Sequence, residues 1–313
     1  MLEHIITKLK QKKNAIVLAH SYVPEDVFPV ADATGDSLEL CRYAQQTGAS
    51  LIIFAGVYFM AESAALLNPD KKVILPNLAS RCSLMDGYAT AERRYPGIAA
   101  PDVQRLRDQH PGAPVMCYIN TTAEVKAASD VCCTSANDVA IARDLIQEQG
   151  KIIYIPDANM AQNLREALRD EGRGGEVISW EGRCEVHDRL TEETIIALRQ
   201  AYPGSSVVAH KECNAEVRDS ADFVGGTGQM RKYIQGSLNH DFIVVTECGT
   251  TSLFQRQFPN KRLLGNCVEC RYMHLNTLSA IADALAREGP IIRIADALAD
   301  KARVPLERMM NYR

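Results

Sequence analysis

Short apolar runs rich in β-branched residues recur along the chain, each separated from the next by an amphipathic stretch bounded by Gly, Pro or Asp. The runs are AIVLAH, SLIIFAGV, KVILP, PVMCYIN, KIIYIPD, EVISW, SVVAH and DFIVVTE. Continuous apolar runs with no polar alternation suit strands covered on both faces. Their alternation with helical segments predicts βαβ units around parallel sheets. The opening MLEHIITKLKQKKN carries apolar residues at helical spacing among charges, which predicts a surface helix and not a signal peptide.

The pattern also repeats. Three segments align without a gap over 21 residues, starting at Val17 (VLAHSYVPEDVFPVADATGDS), Val115 (VMCYINTTAEVKAASDVCCTS) and Val207 (VVAHKECNAEVRDSADFVGGT). Each opens on a strand that ends in two polar residues two positions apart: His20 and Tyr22, Tyr118 and Asn120, His210 and Glu212. Each then carries a Val (Val27, Val125, Val217), an Asp (Asp32, Asp130, Asp222) and a closing hydroxyl (Ser37, Ser135, Thr227) at matched offsets. The second half of each unit ends in a cysteine: Cys82 nine residues after Val73, Cys184 seven after Val177, Cys270 seven after Leu263. The expected fold is α/β, with three pseudo-threefold-related three-layer αβα repeats around a central site. The expected units are 1–85 (joined by 271–313), 86–187 and 188–270.

Composition narrows the class. The 313 residues hold 35 basic and 39 acidic side chains, interspersed, for a net charge of −4. This charge pattern gives no basic patch for nucleic acid. No apolar run approaches the roughly 18 residues that span a bilayer. A soluble, intracellular, cytoplasmic protein is expected, binding neither nucleic acid nor membrane. Ten cysteines without a secretory signal argue against a disulfide framework and for metal binding or burial.

Ligands of parallel α/β sheets bind beyond the carboxyl ends of the strands, where the polar pairs, the hydroxyls and the recurrent cysteines all fall. Residues two apart at a strand end point the same way, so each pair can face one chamber. Three thiolates around one point suit an iron-sulfur cluster, and with three ligands one iron stays open as a Lewis acid. Zinc held by the three cysteines and His187, from the CEVH run, is the alternative metal. Cys41, Cys117, Cys132 and Cys133 read as core and Cys213 and Cys248 stay unassigned. Cys267 forms a CxxC with Cys270 but lies only four residues after Leu263, so the repeat selects Cys270. The three aspartates read as structural, and Met60 in FMAESAALL as packing.

The motifs AHSY with GDSLEL, GVYFMAESAALLNPDKKVILPN followed by CSL, YINTTAEVKAASDVCCTS, IIYIPD, SWEGRCEVH, AHKEC with ADF, and CRYM resemble the quinolinate synthase family over nearly the whole chain. The resemblance implies condensation of iminoaspartate with dihydroxyacetone phosphate in NAD biosynthesis, with release of phosphate and water. It further implies one 4Fe-4S cluster on Cys82, Cys184 and Cys270. Substrate contacts would fall on His20, Tyr22, Ser37, Tyr118, Asn120, Ser135, His210, Glu212 and Thr227, with Tyr22, Glu212, His20 and His210 as the catalytic set. Its partners would be those small anionic substrates and, functionally, an enzyme that supplies iminoaspartate. Four departures touch substrate loops: Lys211 where the family has Pro, Gly226 where it has a hydroxyl, Ala158 where it has Lys, and His274 after Met273 where it commonly has Lys. Other readings are a different three-unit iron-sulfur enzyme acting on another small anion, and a zinc-dependent hydrolase or metal sensor.

Overall fold

The computed structural model describes residues 1–265 and 267–312. Three four-stranded sheets carry the fold. The first holds β1 (Ala15–His20), β2 (Ala33–Gly35), β3 (Leu51–Ala55) and β4 (Lys72–Ile74) in the order β2-β1-β3-β4. A two-stranded antiparallel hairpin follows, β5 (Tyr88–Ala89) with β6 (Arg94–Tyr95). The second sheet holds β7 (Val115–Tyr118), β8 (Val131–Cys133), β9 (Lys151–Ile155) and β10 (Glu176–Ser179) in the order β8-β7-β9-β10. The third holds β11 (Ser206–His210), β12 (Phe223–Gly225), β13 (Asp241–Val245) and β14 (Arg262–Gly265) in the order β12-β11-β13-β14. Every pairing inside the three sheets is parallel.

The sheets share their register as well as their order. Leu18 pairs with Ala33, Met116 with Val131, and Val208 with Phe223, each fifteen residues on. The matched aspartates explain how. Val17 N donates to Asp32 Oδ2 at 2.7 Å, Val115 N to Asp130 Oδ2 at 2.7 Å, and Val207 N to Asp222 Oδ2 at 2.6 Å. In return the Asp32, Asp130 and Asp222 amides donate to the Val17, Val115 and Val207 carbonyls. Each Asp therefore satisfies one amide of the central strand and aligns the next strand. A cation backs each carboxylate: Lys10, Arg107 and Arg199 at 2.7, 2.7 and 3.0 Å.

Central strands are buried along their length, as two covered faces require; all five residues of β3 and of β11 are buried. One apolar cluster runs continuously through the first and second sheets, whereas the third has separate clusters on its two faces, around Val207 and Ala209 on one and Val208 and Val244 on the other. The opening segment forms the expected helix, Leu2–Lys13, against which the helix Leu278–Arg287 packs. The last helix, Asp296–Met310, packs on β8, on Ala123–Ala127 of the second unit and on Tyr58–Leu67 of the first. No helix among the described residues is long and apolar enough to cross a membrane.

The expectation of free thiols needs one correction. Cys248 and Cys267 are joined in a disulfide, while the other eight cysteines are free. Chain topology causes the meeting: Cys248 N donates to Val268 O, so the helix start at Cys248 and the loop after β14 run side by side.

Candidate functional site

The loops after the carboxyl ends of the strands enclose one cavity of about 670 Å³, measured as all space free of atoms and open at its mouth. All twelve residues selected by the repeat and the family motifs line it: His20, Tyr22, Ser37 and Cys82 from the first unit, Tyr118, Asn120, Ser135 and Cys184 from the second, and His210, Glu212, Thr227 and Cys270 from the third. Val57, Phe59 and Met60 form an apolar wall, so Met60 packs and also borders the site. Cys41, Cys117, Cys132 and Cys133 are buried, as expected of core residues, and Cys213, left unassigned, is buried too.

The strand-end pairs are built alike. Tyr22 N donates to His20 Nδ1 and Glu212 N to His210 Nδ1, both at 3.2 Å. This leaves Nδ1 as the acceptor and puts the ring hydrogen on Nε2. Burial lowers both histidines to about 3. They are neutral donors.

Glu212 is the hub. Its Oε1 accepts from Tyr118 Oη at 2.5 Å, and its Oε2 stands 2.8 Å from His187 Nδ1. His187 Nε2 lies 2.9 Å from Thr246 Oγ1, which lies 3.1 Å from Tyr22 Oη. A buried polar chain thus runs Tyr22, Thr246, His187, Glu212, Tyr118, and His187 stacks on His210 with centroids 4.7 Å apart. Burial opposes the charge on Glu212, but His187 and the Tyr118 hydroxyl hold its carboxyl well below the usual range. Burial, then the charge of Glu212, raises both tyrosines well above theirs. The carboxylate is therefore ionised between two protonated phenols.

The hydroxyls sit where helices begin. Ser37 and Thr227 open the helices Ser37–Gln46 and Thr227–Gly236, and Ser135 precedes Asp138–Gln149. Helix starts present free N–H groups and positive dipole ends, which suit carboxylate and phosphate oxygens. Gly226 follows from the same crowding: a Cβ there would collide with Ser135 Oγ.

Each recurrent cysteine precedes a helical turn. Backbone N–H groups of Leu84 and Met85 reach the Cys82 thiol, that of His187 reaches Cys184, and those of Tyr272 and Met273 reach Cys270. Such donors stabilise thiolates. Without a metal, burial drives the thiols upward, Cys270 to about 12, and Cys82 and Cys184 also feel the charge of Cys270. Three half-buried thiols with thiolate-stabilising donors in one cavity fit a cluster that takes three cysteine ligands. His187 Nε2 is engaged by Thr246, whereas Cys184, His187 and Glu212 bring their ligand atoms close enough together to hold a metal ion, which is the arrangement the zinc alternative would draw on. Cys267 does not line the cavity. At Cys270 the departure His274 has a clear partner: its Nε2 is 3.2 Å from Glu247 Oε1, which accepts from Cys270 N at 3.2 Å.

Comparison with known proteins places the chain among relatives. The model for "Quinolinate synthetase A protein" matches residues 4–311. The chain belongs to the quinolinate synthetase A family. It is 42% identical over 312 residues to a quinolinate synthase of Methanoregula boonei, covering 99% of this chain and 98% of that one. A quinolinate synthase of Chloroherpeton thalassium is 41% identical over 314 residues, covering 98% and 92%. One from Caulobacter vibrioides is 39% identical over 309 residues, covering 98% and 80%. Within this quinolinate synthetase A chain, sequence reasoning had weighed His187 only as a zinc ligand and missed Thr246. The polar pair Thr246–Glu247 closing the apolar run of β13 was the available signal.

Proposed function

We propose that the chain is a quinolinate synthase, which condenses iminoaspartate with dihydroxyacetone phosphate to give quinolinate, phosphate and water in NAD biosynthesis. The observation that carries this reading is the meeting of twelve residues from three sheets at one cavity, in a chain of this family. Cys82, Cys184 and Cys270 are the proposed ligands of a 4Fe-4S cluster. Bound there, the cluster supplies one iron without a protein ligand, a Lewis acid for substrate oxygen or nitrogen.

The chain's own residues do the rest. Ser37, Ser135, Thr227 and Asn120 hold carboxylate and phosphate oxygens, and the Nε2–H groups of His20 and His210 orient them as neutral donors. Glu212, ionised beside Tyr118 and His187, accepts a proton from the condensing carbon or nitrogen. Tyr22 and Tyr118, both protonated, donate to departing oxygen. The buried cavity keeps water from competing for these hydrogen bonds. On this reading the units are 1–85 with 271–313, 86–187 and 188–270, set around a pseudo-threefold axis, and the compartment is the cytoplasm.

Anaerobic incubation with iminoaspartate and dihydroxyacetone phosphate, assayed for quinolinate, tests the proposal. Quinolinate formed in proportion to enzyme supports it. Its absence from a preparation with full iron content contradicts it.

A further inference from the structure

Lys211 lies between the two cavity residues His210 and Glu212, yet it does not line the cavity. Its Nζ points behind the wall and reaches Asp138 Oδ1 at 2.8 Å, with side chains 10% and 1% exposed. Asp138 Oδ2 is buried without a hydrogen-bond partner among the described residues, so Lys211 is the carboxylate's one ion-pair partner there.

The repeat shows that both charges are out of pattern. At the position of Lys211 the first and second units carry Ser21 and Ile119, and at the position of Asp138 the first and third carry Leu40 and Met230, all four buried. Elsewhere the fold fills these places with neutral side chains. Here two charges occur together, each in a place where burial alone would expel it.

Their location links two walls of the site. The Lys211 amide donates to Gly225 O at 3.2 Å, fixing the His210–Glu212 strand end. Asp138 N donates to Thr134 O at 3.1 Å, fixing the turn that displays Ser135. The third sheet keeps its own apolar clusters, separate from the one shared by the first two. Polar contacts therefore help set its register against the second unit: the Lys211–Asp138 pair, Arg218 with Glu166 at 2.8 Å, Asn159 Nδ2 donating to Glu212 O at 3.0 Å, and, in the cavity itself, Tyr118 with Glu212 and His187 with Thr246. Of these the first joins the segment carrying His210 and Glu212 to the segment carrying Ser135.

We propose that Lys211 and Asp138 form a positioning pair that holds the His210–Glu212 strand end in register with the Thr134–Ser135 turn, and so sets the affinity of the cavity for the phosphate-bearing substrate. The choice of substrate rests on the quinolinate synthase reading, whereas the positioning does not. Because neither side chain touches the cavity, the pair governs substrate binding more than the chemical step.

The test uses cluster-loaded enzyme and four variants. Lys211→Met leaves a buried carboxylate without its counter-charge and is expected to fold poorly. Lys211→Met/Asp138→Leu removes both charges, putting at 138 the residue the first unit has there. It is expected to keep its iron and a kcat within about threefold of wild type while KM for dihydroxyacetone phosphate rises about tenfold. Amide exchange at residues 134–138 and 211–213 is expected to quicken about tenfold in the same variant, with the central strands unchanged. Lys211→Arg keeps the charge pair and is expected to stay near wild type in KM and exchange. Asp138→Asn, which keeps a hydrogen-bond acceptor, gives a second route if the double variant does not fold, and is expected to raise KM by about threefold or more.

Wild-type KM and wild-type exchange in a folded double variant, or in Asp138→Asn, would overturn the proposal. A fall in kcat with KM unchanged would overturn it too. Should the wild-type enzyme make no quinolinate, the functional reading fails, and the exchange comparison, which needs no substrate, still decides the pair.

Discussion

Tyr118 Oη and Glu212 Oε1 lie 2.5 Å apart, the tyrosine at the end of β7 in the second sheet and the glutamate just past β11 in the third. The bond ties two units together at the centre of the site and makes Glu212 the anion on which Tyr118 and His187 converge. Replacing the carboxylate by an amide keeps size and most hydrogen bonds but removes the base. Glu212→Gln is expected to lose about 100-fold or more in kcat while keeping its iron, measured as quinolinate formed per cluster. Near-normal turnover would show that the proton goes elsewhere.

On the proposed reading, substrate anions meet hydroxyls at helix starts. Ser37→Ala and Ser135→Ala each remove one donor to a charged oxygen, worth about 1.5–3 kcal/mol, so KM is expected to rise about tenfold or more in each variant with iron content unchanged. Steady-state kinetics with each substrate varied in turn is the check.

His20 and His210 are held at about 3 by burial, against an ordinary value of 6.5. A histidine lowered in the folded state binds protons better when unfolded. Its contribution to stability is complete above pH 6.5 and is lost as pH falls toward 3. At pH 4.5 each histidine accounts for about 3 kcal/mol of lost stability as an upper figure. Denaturant titration of the metal-free protein should therefore show a shallower loss between pH 6.5 and 4.5 in His20→Asn than in wild type. Equal slopes would mean the histidine is protonated in the fold.

The three aspartates do one job three times, so their variants should behave alike. Asp32→Ala, Asp130→Ala and Asp222→Ala each leave a strand amide without its acceptor, at a half-exposed position, for about 1–2 kcal/mol of stability. Thermal melting should move similarly in all three. A large effect on turnover from one alone would point to a role beyond the fold.

Most of this frame could be read from the sequence because it is local. The Val-to-Asp spacing of fifteen, the polar pairs and the closing hydroxyls sit inside 21-residue segments, and β1, β7 and β11 with their neighbours follow from them. The relay was less legible because its members are far apart in the chain: His187 meets Thr246 across 59 residues and Glu212 across 25. The Lys211–Asp138 pair, separated by 73 residues, was visible only as a departure at Lys211. The hairpin of β5 and β6 has two-residue strands within a charged stretch, too short for any alternation to show. Composition misled at Cys248 and Cys267, where a general preference for free thiols says nothing about two loops that topology lays side by side.

The central claim is that each unit supplies one cysteine to a single cluster, and that in the third unit this is Cys270 and not its CxxC neighbour. Cys270 lines the cavity, whereas Cys267 pairs with Cys248 outside it. Iron per chain in anaerobically purified Cys267→Ser and Cys270→Ser tests this most directly. The account predicts about four irons per chain in Cys267→Ser, as a 4Fe-4S centre demands, and loss of the cluster in Cys270→Ser. Loss of iron in Cys267→Ser with retention in Cys270→Ser would contradict it.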